Sequence, residues 1–113
     1  MKVRAIRGAT QLSDDSVETM RLSVVELLTQ IFLQNNLEKD DLISILFTAT
    51  PDIHSDFPAA AARTLDLGDI PLICAQELDI SGSLPLVVRV LVHAYSHKTH
   101  AEIKHQYLQG ASV

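Results

Sequence analysis

The segment Leu84-Pro85-Leu86-Val87-Val88-Arg89-Val90-Leu91-Val92 constrains the fold more than any other, because a permanently charged guanidinium interrupts the most apolar stretch of the chain. Read as a strand, residues 86 to 95 alternate. Leu86, Val88, Val90, Val92 and Ala94 share one face, while Val87, Arg89, Leu91, His93 and Tyr95 share the other. The first face is core and the second resembles the wall of a pocket. Burying an unpaired charge costs several kcal/mol even after relaxation. Arg89 therefore needs an anion, supplied by a ligand, by an acidic residue of its own fold or by a neighbouring subunit.

A chain of 113 residues fits one domain, residues 1–113, and at 47% hydrophobic content it can bury a core of the α/β or α+β class. Nine Lys and Arg against fourteen Asp and Glu leave a net charge of −5 with no basic run, which argues against nucleic acid as a partner. No apolar run approaches the ~20 residues of a membrane helix. The start Met1-Lys2-Val3-Arg4-Ala5-Ile6-Arg7 is too short and charged for a signal peptide. With a lone cysteine, Cys74, no internal disulfide can form, so the expected location is the cytoplasm.

Along the chain, Lys2 to Ala9 reads as a first strand ending at Gly8, with Arg7 at its C-terminal end. Ser13 is the expected N-cap of a helix in which Val17, Met20, Val24, Leu27, Leu28, Ile31 and Phe32 recur at helical spacing until Asn35-Asn36. Leu42 to Ala49 is a continuous apolar run between charged and Pro-containing flanks, and reads as a strand buried on both sides. Phe57-Pro58 opens a short Ala-rich helix through Arg63 or Leu65, with Gly68-Asp69 as its terminator. Ile70 to Ala75 is a third strand and Leu86 to Tyr95 a fourth; Lys98 to Lys104 suggests a helical turn and Gln106-Tyr107-Leu108 a last short strand.

Four blocks then carry a resemblance: Arg4-Ala5-Ile6-Arg7-Gly8-Ala9-Thr10; Ala49-Thr50-Pro51-Asp52-Ile53-His54 with Phe57-Pro58-Ala59 and Arg63; Cys74-Ala75-Gln76-Glu77-Leu78-Asp79; and Arg89. In this order and spacing the chain closely resembles the trimeric monofunctional chorismate mutases over essentially its whole length. The resemblance implies a pseudo-α/β-barrel homotrimer of mixed sheets with helices outside and active sites in clefts between subunits. It also implies a Claisen rearrangement of chorismate to prephenate, in phenylalanine and tyrosine biosynthesis, without cofactor or metal.

That chemistry needs a compact reactive conformer and a fixed cation where charge develops on the ether oxygen, and it moves no proton. The resemblance assigns the cation to Arg89, whose guanidinium cannot lose its proton. It gives Arg7 and Tyr107 a substrate carboxylate, and gives Glu77 and Cys74 the substrate hydroxyl, the cysteine mainly through its backbone. Phe57 and Ala59 would form an apolar lid, Arg63 would reach a carboxylate at the entrance, and Ile73, Ala75 and Gln76 would line the floor beside Cys74. Arg7 read by itself could be a surface cation, Arg63 a solvated helix arginine and Tyr107 a core-edge aromatic.

Two departures bear on efficiency. Ala60 stands where family members often carry a lysine, and the family's common Arg-Pro-Asp tail has no counterpart before Val113. Both lower the positive charge offered to a dianion, so weaker substrate capture is expected. His93, His97, His100 and His105 crowd the C-terminal quarter. On a helix His93 and His97 would share a face; on a strand they lie ~13 Å apart, too far for one ion, and the strand is the favoured reading. The rival functions are a non-catalytic trimeric binding or regulatory module with an arginine-lined cleft, and an imine deaminase of similar trimeric fold.

Overall fold

The computed structural model describes residues 1–113. The chain runs β1 (Lys2–Gln11), α1 (Val17–Gln34), β2 (Leu42–Ala49), α2 (Pro58–Ala62), β3 (Leu72–Gln76), β4 (Val87–Ser96) and β5 (Gln106–Leu108), with 3₁₀ turns at Lys39–Asp41, Arg63–Leu65 and His100–Glu102. All strands join one sheet in the order β3-β2-β4-β1-β5. The central strand β4 is antiparallel to both β1 and β2, whereas the outer pairs β2-β3 and β1-β5 are parallel. The mixed sheet with its helices is the α+β architecture that the sequence implied.

Both helices pack on one face of the sheet. Met20, Val24, Leu27, Leu28 and Ile31 of α1 meet Ile6, Ile45, Phe47, Val88, Val90 and Val92 in one apolar core, joined by Ala59, Ala61 and Ala62 of α2. The core face expected of β4 holds at Val88, Val90, Val92 and Ala94, but Val87, assigned to the other face, is buried as well, and Leu86 falls just before the strand. The expectation for β2 does not hold. Ile45 and Phe47 are buried, but Leu46 between them is 36% exposed, because no element of the chain covers the second face.

Further boundaries differ from the sequence reading, among them that of β3, which runs Leu72–Gln76 rather than from Ile70 to Ala75. β1 does not stop at Gly8 but continues to Gln11, which places Arg7 in mid-strand. Gly8 is there because α1 presses on it: a Cβ at this position would lie 2.7 Å from Ile31 Cδ1 and 3.1 Å from both Leu27 Cδ1 and Val90 Cγ2. The N-cap of α1 is Ser16 rather than Ser13, its hydroxyl accepting the Thr19 N–H at 3.1 Å. At the other end, the Asn35 side chain donates to Ile31 O and Lys104 O, and accepts the Lys104 N–H at 2.8 Å, tying the helix to the approach of β5. Pro58 starts α2 as expected, but the helical path ends at Asp66, in left-handed conformation, before Gly68. No helix is long and apolar enough to cross a membrane.

Candidate active site

The sheet register sets Arg89 on the uncovered face, opposite Thr48 of β2 on one side and Ala9 of β1 on the other. Thr48 in turn faces Ala75 of β3. β3 ends at Gln76, and the next residue, Glu77, donates its N–H to Ala49 O at 3.0 Å. From there its carboxylate returns over the sheet, where Oε1 meets Arg89 Nε at 3.1 Å and accepts the Thr48 hydroxyl at 3.0 Å. Glu77 is thus the anion that Arg89 requires. Neither group is sealed from solvent, the side chains being 36% exposed for Arg89 and 22% for Glu77. Arg89 Nη1 donates to Ser112 O at 2.9 Å, and Nη2 has no protein partner.

The start of β4 is fixed by the 50–52 segment. Leu86 adopts φ 54°, which costs an apolar residue about 1–2 kcal/mol. Asp52 offsets that cost by accepting the Leu86 N–H at 3.0 Å, while Thr50 Oγ1 accepts the Val87 N–H at 3.0 Å and donates to Asp52. Three residues on, Arg89 inherits this alignment.

Arg7 shares the uncovered face, opposite Leu91, and its guanidinium has no protein partner. Its main-chain N–H donates to His105 Nδ1 at 2.9 Å, so that imidazole nitrogen is unprotonated. Burial, and secondarily the charge of Arg7, hold the His105 pKa below its ordinary value. Tyr107 lies opposite Ala9, one strand further from Arg89, and its hydroxyl is buried with no partner. A buried donor left unsatisfied costs about 1–3 kcal/mol, and no group of the chain meets this one.

A second set of residues surrounds a cleft of about 430 Å³ at the β3 edge, lined by Phe57, Cys74, Ala75 and Gln76 together with the 49–56 segment. Phe57 is 70% exposed at the N-terminus of α2. Asp15 pins the segment by accepting the N–H groups of His54 at 2.8 Å and Ser55 at 3.0 Å. Hydrogen bonds from Ser55 and His54 hold its carboxyl below the ordinary aspartate range. Arg63 is exposed at the end of α2. Ile73 is 63% exposed opposite Leu46, outside this cleft, and the Ala59 side chain is buried in the core rather than turned to the lining.

The predicted site residues therefore form two groups. Arg7, Glu77, Arg89 and Tyr107 lie along the uncovered face, and none of them lines the cleft that holds Phe57, Cys74, Ala75 and Gln76. Thr48 was not singled out from sequence, and His105 only as one of four crowded histidines, because only the strand register reveals what they touch. His93 lies within β4, with Nδ1 3.4 Å from Ser44 Oγ, and no three His, Cys, Asp or Glu side chains gather as a metal site.

Residues 3–113 match the family model of chorismate mutase type I. The chain belongs to that family. Among its relatives, the chorismate mutase AroH of Bacillus subtilis (strain 168) is 36% identical over 114 residues, spanning 100% of this chain and 90% of the relative. The chorismate mutase AroH of Thermus thermophilus is 36% identical over 110 residues, spanning 96% of this chain and 90% of that protein. A solved chorismate mutase from Clostridium thermocellum superposes with a TM-score of 0.93 at 42% identity, over 96% of each chain. Chorismate mutase type I proteins are isomerases, and membership favours an enzyme over a non-catalytic binding module.

Proposed function

We propose that residues 1–113 act as one domain that rearranges chorismate to prephenate in a homotrimer, at sites between adjacent copies. Arg7, Glu77, Arg89 and Tyr107 of one copy would face Phe57, Arg63, Ile73, Cys74, Ala75 and Gln76 of the next. The observation that carries this reading is the Arg89 guanidinium, tethered through Nε to Glu77 with Nη2 unpartnered. The separation of the two groups within one chain supports a shared site, as does the unpaired Tyr107 hydroxyl.

In the rearrangement the ether C–O bond breaks as a C–C bond forms, and negative charge grows on the ether oxygen. A guanidinium held in place by a carboxylate meets that charge without reorganising, which is where electrostatic stabilisation is most effective. Arg7 carries a free fork of donors for a substrate carboxylate, and Tyr107 a hydroxyl for the same end. Glu77 keeps Oε2 for the ring hydroxyl. Phe57 and the cleft behind it confine the substrate to its compact conformer. The side chain of Ala59 supports this wall from within the core.

The test is to mix the purified protein with chorismate, follow loss of the diene absorbance, and repeat with Arg89→Lys. Turnover by the parent protein, and a loss of about 10²–10³ in kcat for the variant at unchanged circular dichroism, is the expected result. Binding of chorismate without turnover would favour the binding module instead.

A further inference from the structure

The carboxylate of Glu77 has two oxygens, and the protein uses only one. Arg89 Nε at 3.1 Å and Thr48 Oγ1 at 3.0 Å both address Oε1, and no protein donor addresses Oε2. We propose that Thr48 is a positioning residue for the rearrangement: its hydroxyl locks Glu77 in the one-oxygen arrangement that leaves Oε2 for the substrate hydroxyl and Arg89 Nη2 for the ether oxygen. This rests on the proposed roles of Glu77 and Arg89 in the mutase reaction.

The alternative arrangement that Thr48 prevents is a specific one. Arginine and carboxylate favour the bidentate fork, with two parallel N–H···O bonds. The terminal torsion of a glutamate is soft and roughly two-fold, so nothing within the side chain itself opposes turning into that geometry. A bidentate Glu77 would place both oxygens on Arg89, taking a guanidinium nitrogen from the substrate and withdrawing Oε2 from the ring hydroxyl. A carboxylate can only accept, so the Thr48 hydroxyl must donate to it, and that bond fixes where Oε1 sits.

The fold places Thr48 for this task and for no evident packing one. It faces Arg89 and Ala75 in register on the uncovered side of the sheet, away from the core formed by its neighbours Phe47 and Val88. The following residue, Ala49, accepts the Glu77 N–H at 3.0 Å. The last two residues of β2 therefore hold Glu77 twice, once by its main chain and once by its carboxylate.

Two variants separate this role from a structural one. Thr48→Val removes the hydroxyl but keeps the branched shape suited to a strand, and Thr48→Ser keeps the hydroxyl. In Thr48→Val, kcat should fall about tenfold, the equivalent of one hydrogen bond to a charged group. Thr48→Ser should restore kcat to near the parent. A folded Thr48→Val protein with parental kcat, or a Thr48→Ser protein as impaired as Thr48→Val, would overturn the role alone. A parent protein that does not turn chorismate over would overturn the reading of the site, and this role with it.

Discussion

At the scale of single residues, the electrostatics of this chain are arranged by short, particular contacts rather than by bulk charge. Arg89 meets Glu77, Arg7 offers its N–H to His105, and Asp15 receives two main-chain donors from the segment beside Phe57. His105 has a consequence for stability. Its folded pKa lies below the ordinary value near 6.5, mainly through burial and then through Arg7. As pH falls through about 6.5 the unfolded chain takes up this proton first, so stability is full above that value. It declines between there and the lowered folded pKa. His105→Asn keeps an acceptor without a titrating ring, so its urea midpoint should drop less than the parent's between pH 7.5 and pH 5.5. Equal drops in the two proteins would contradict the assignment. Asp15 acts in the opposite range: its pKa is lowered by Ser55 and His54, so its hold on the segment persists above about pH 4 and is lost only as pH falls through the lowered value.

At the scale of elements, the closest approach of helix to sheet is at Gly8. Adding one methyl there in Gly8→Ala would press on Ile31, Leu27 and Val90, three well-buried side chains, and should cost roughly 1–3 kcal/mol in urea unfolding. Trimming Ile31 to Val removes the nearest atom, so the two substitutions together should cost less than the sum of each alone. Strict additivity would show that the contact is not the cause. The same residue explains why part of the fold was illegible in sequence. A glycine after an alternating run reads as a terminator, and only the helix lying above it reveals a packing requirement. The bounds of β2 and the start of α2 were legible because charge and proline mark them chemically. The helix start was read at Ser13 but lies at Ser16, since Asp15 is drawn away by a tertiary contact with residues 54 and 55. In the site, the charge of Arg89 amid valines was conspicuous from sequence, whereas its pairing with Glu77 depends on where β3 ends. Thr48 was invisible, because a threonine in a strand is ordinary.

At the scale of the whole molecule, the sheet is clothed on one face only. Val3, Leu46, Ile73 and Tyr95 remain 51%, 36%, 63% and 47% exposed. By register they share the uncovered side with Arg89. Apolar area of this kind is what an oligomer interface buries. Sedimentation of the parent should therefore give the proposed trimer, and Leu46→Glu, which sets a charge in that face, should shift it toward monomer with turnover lost in proportion. A monomeric Leu46→Glu protein with full activity would rule out sites shared between copies.

The strand order has a further consequence, in the time domain. β4 is the middle of the sheet, yet residues 87–96 are made after β1, β2 and β3, and they pair with residues 2–11, far back in the sequence. Until β4 emerges, β1 has no partner and β2 can pair only with the short β3, and the apolar side of α1 waits beside an unfinished floor. Pairings of such long sequence separation are slow to close. The nascent chain thus passes through an interval of incomplete structure in which its valine-rich surfaces lack their native packing.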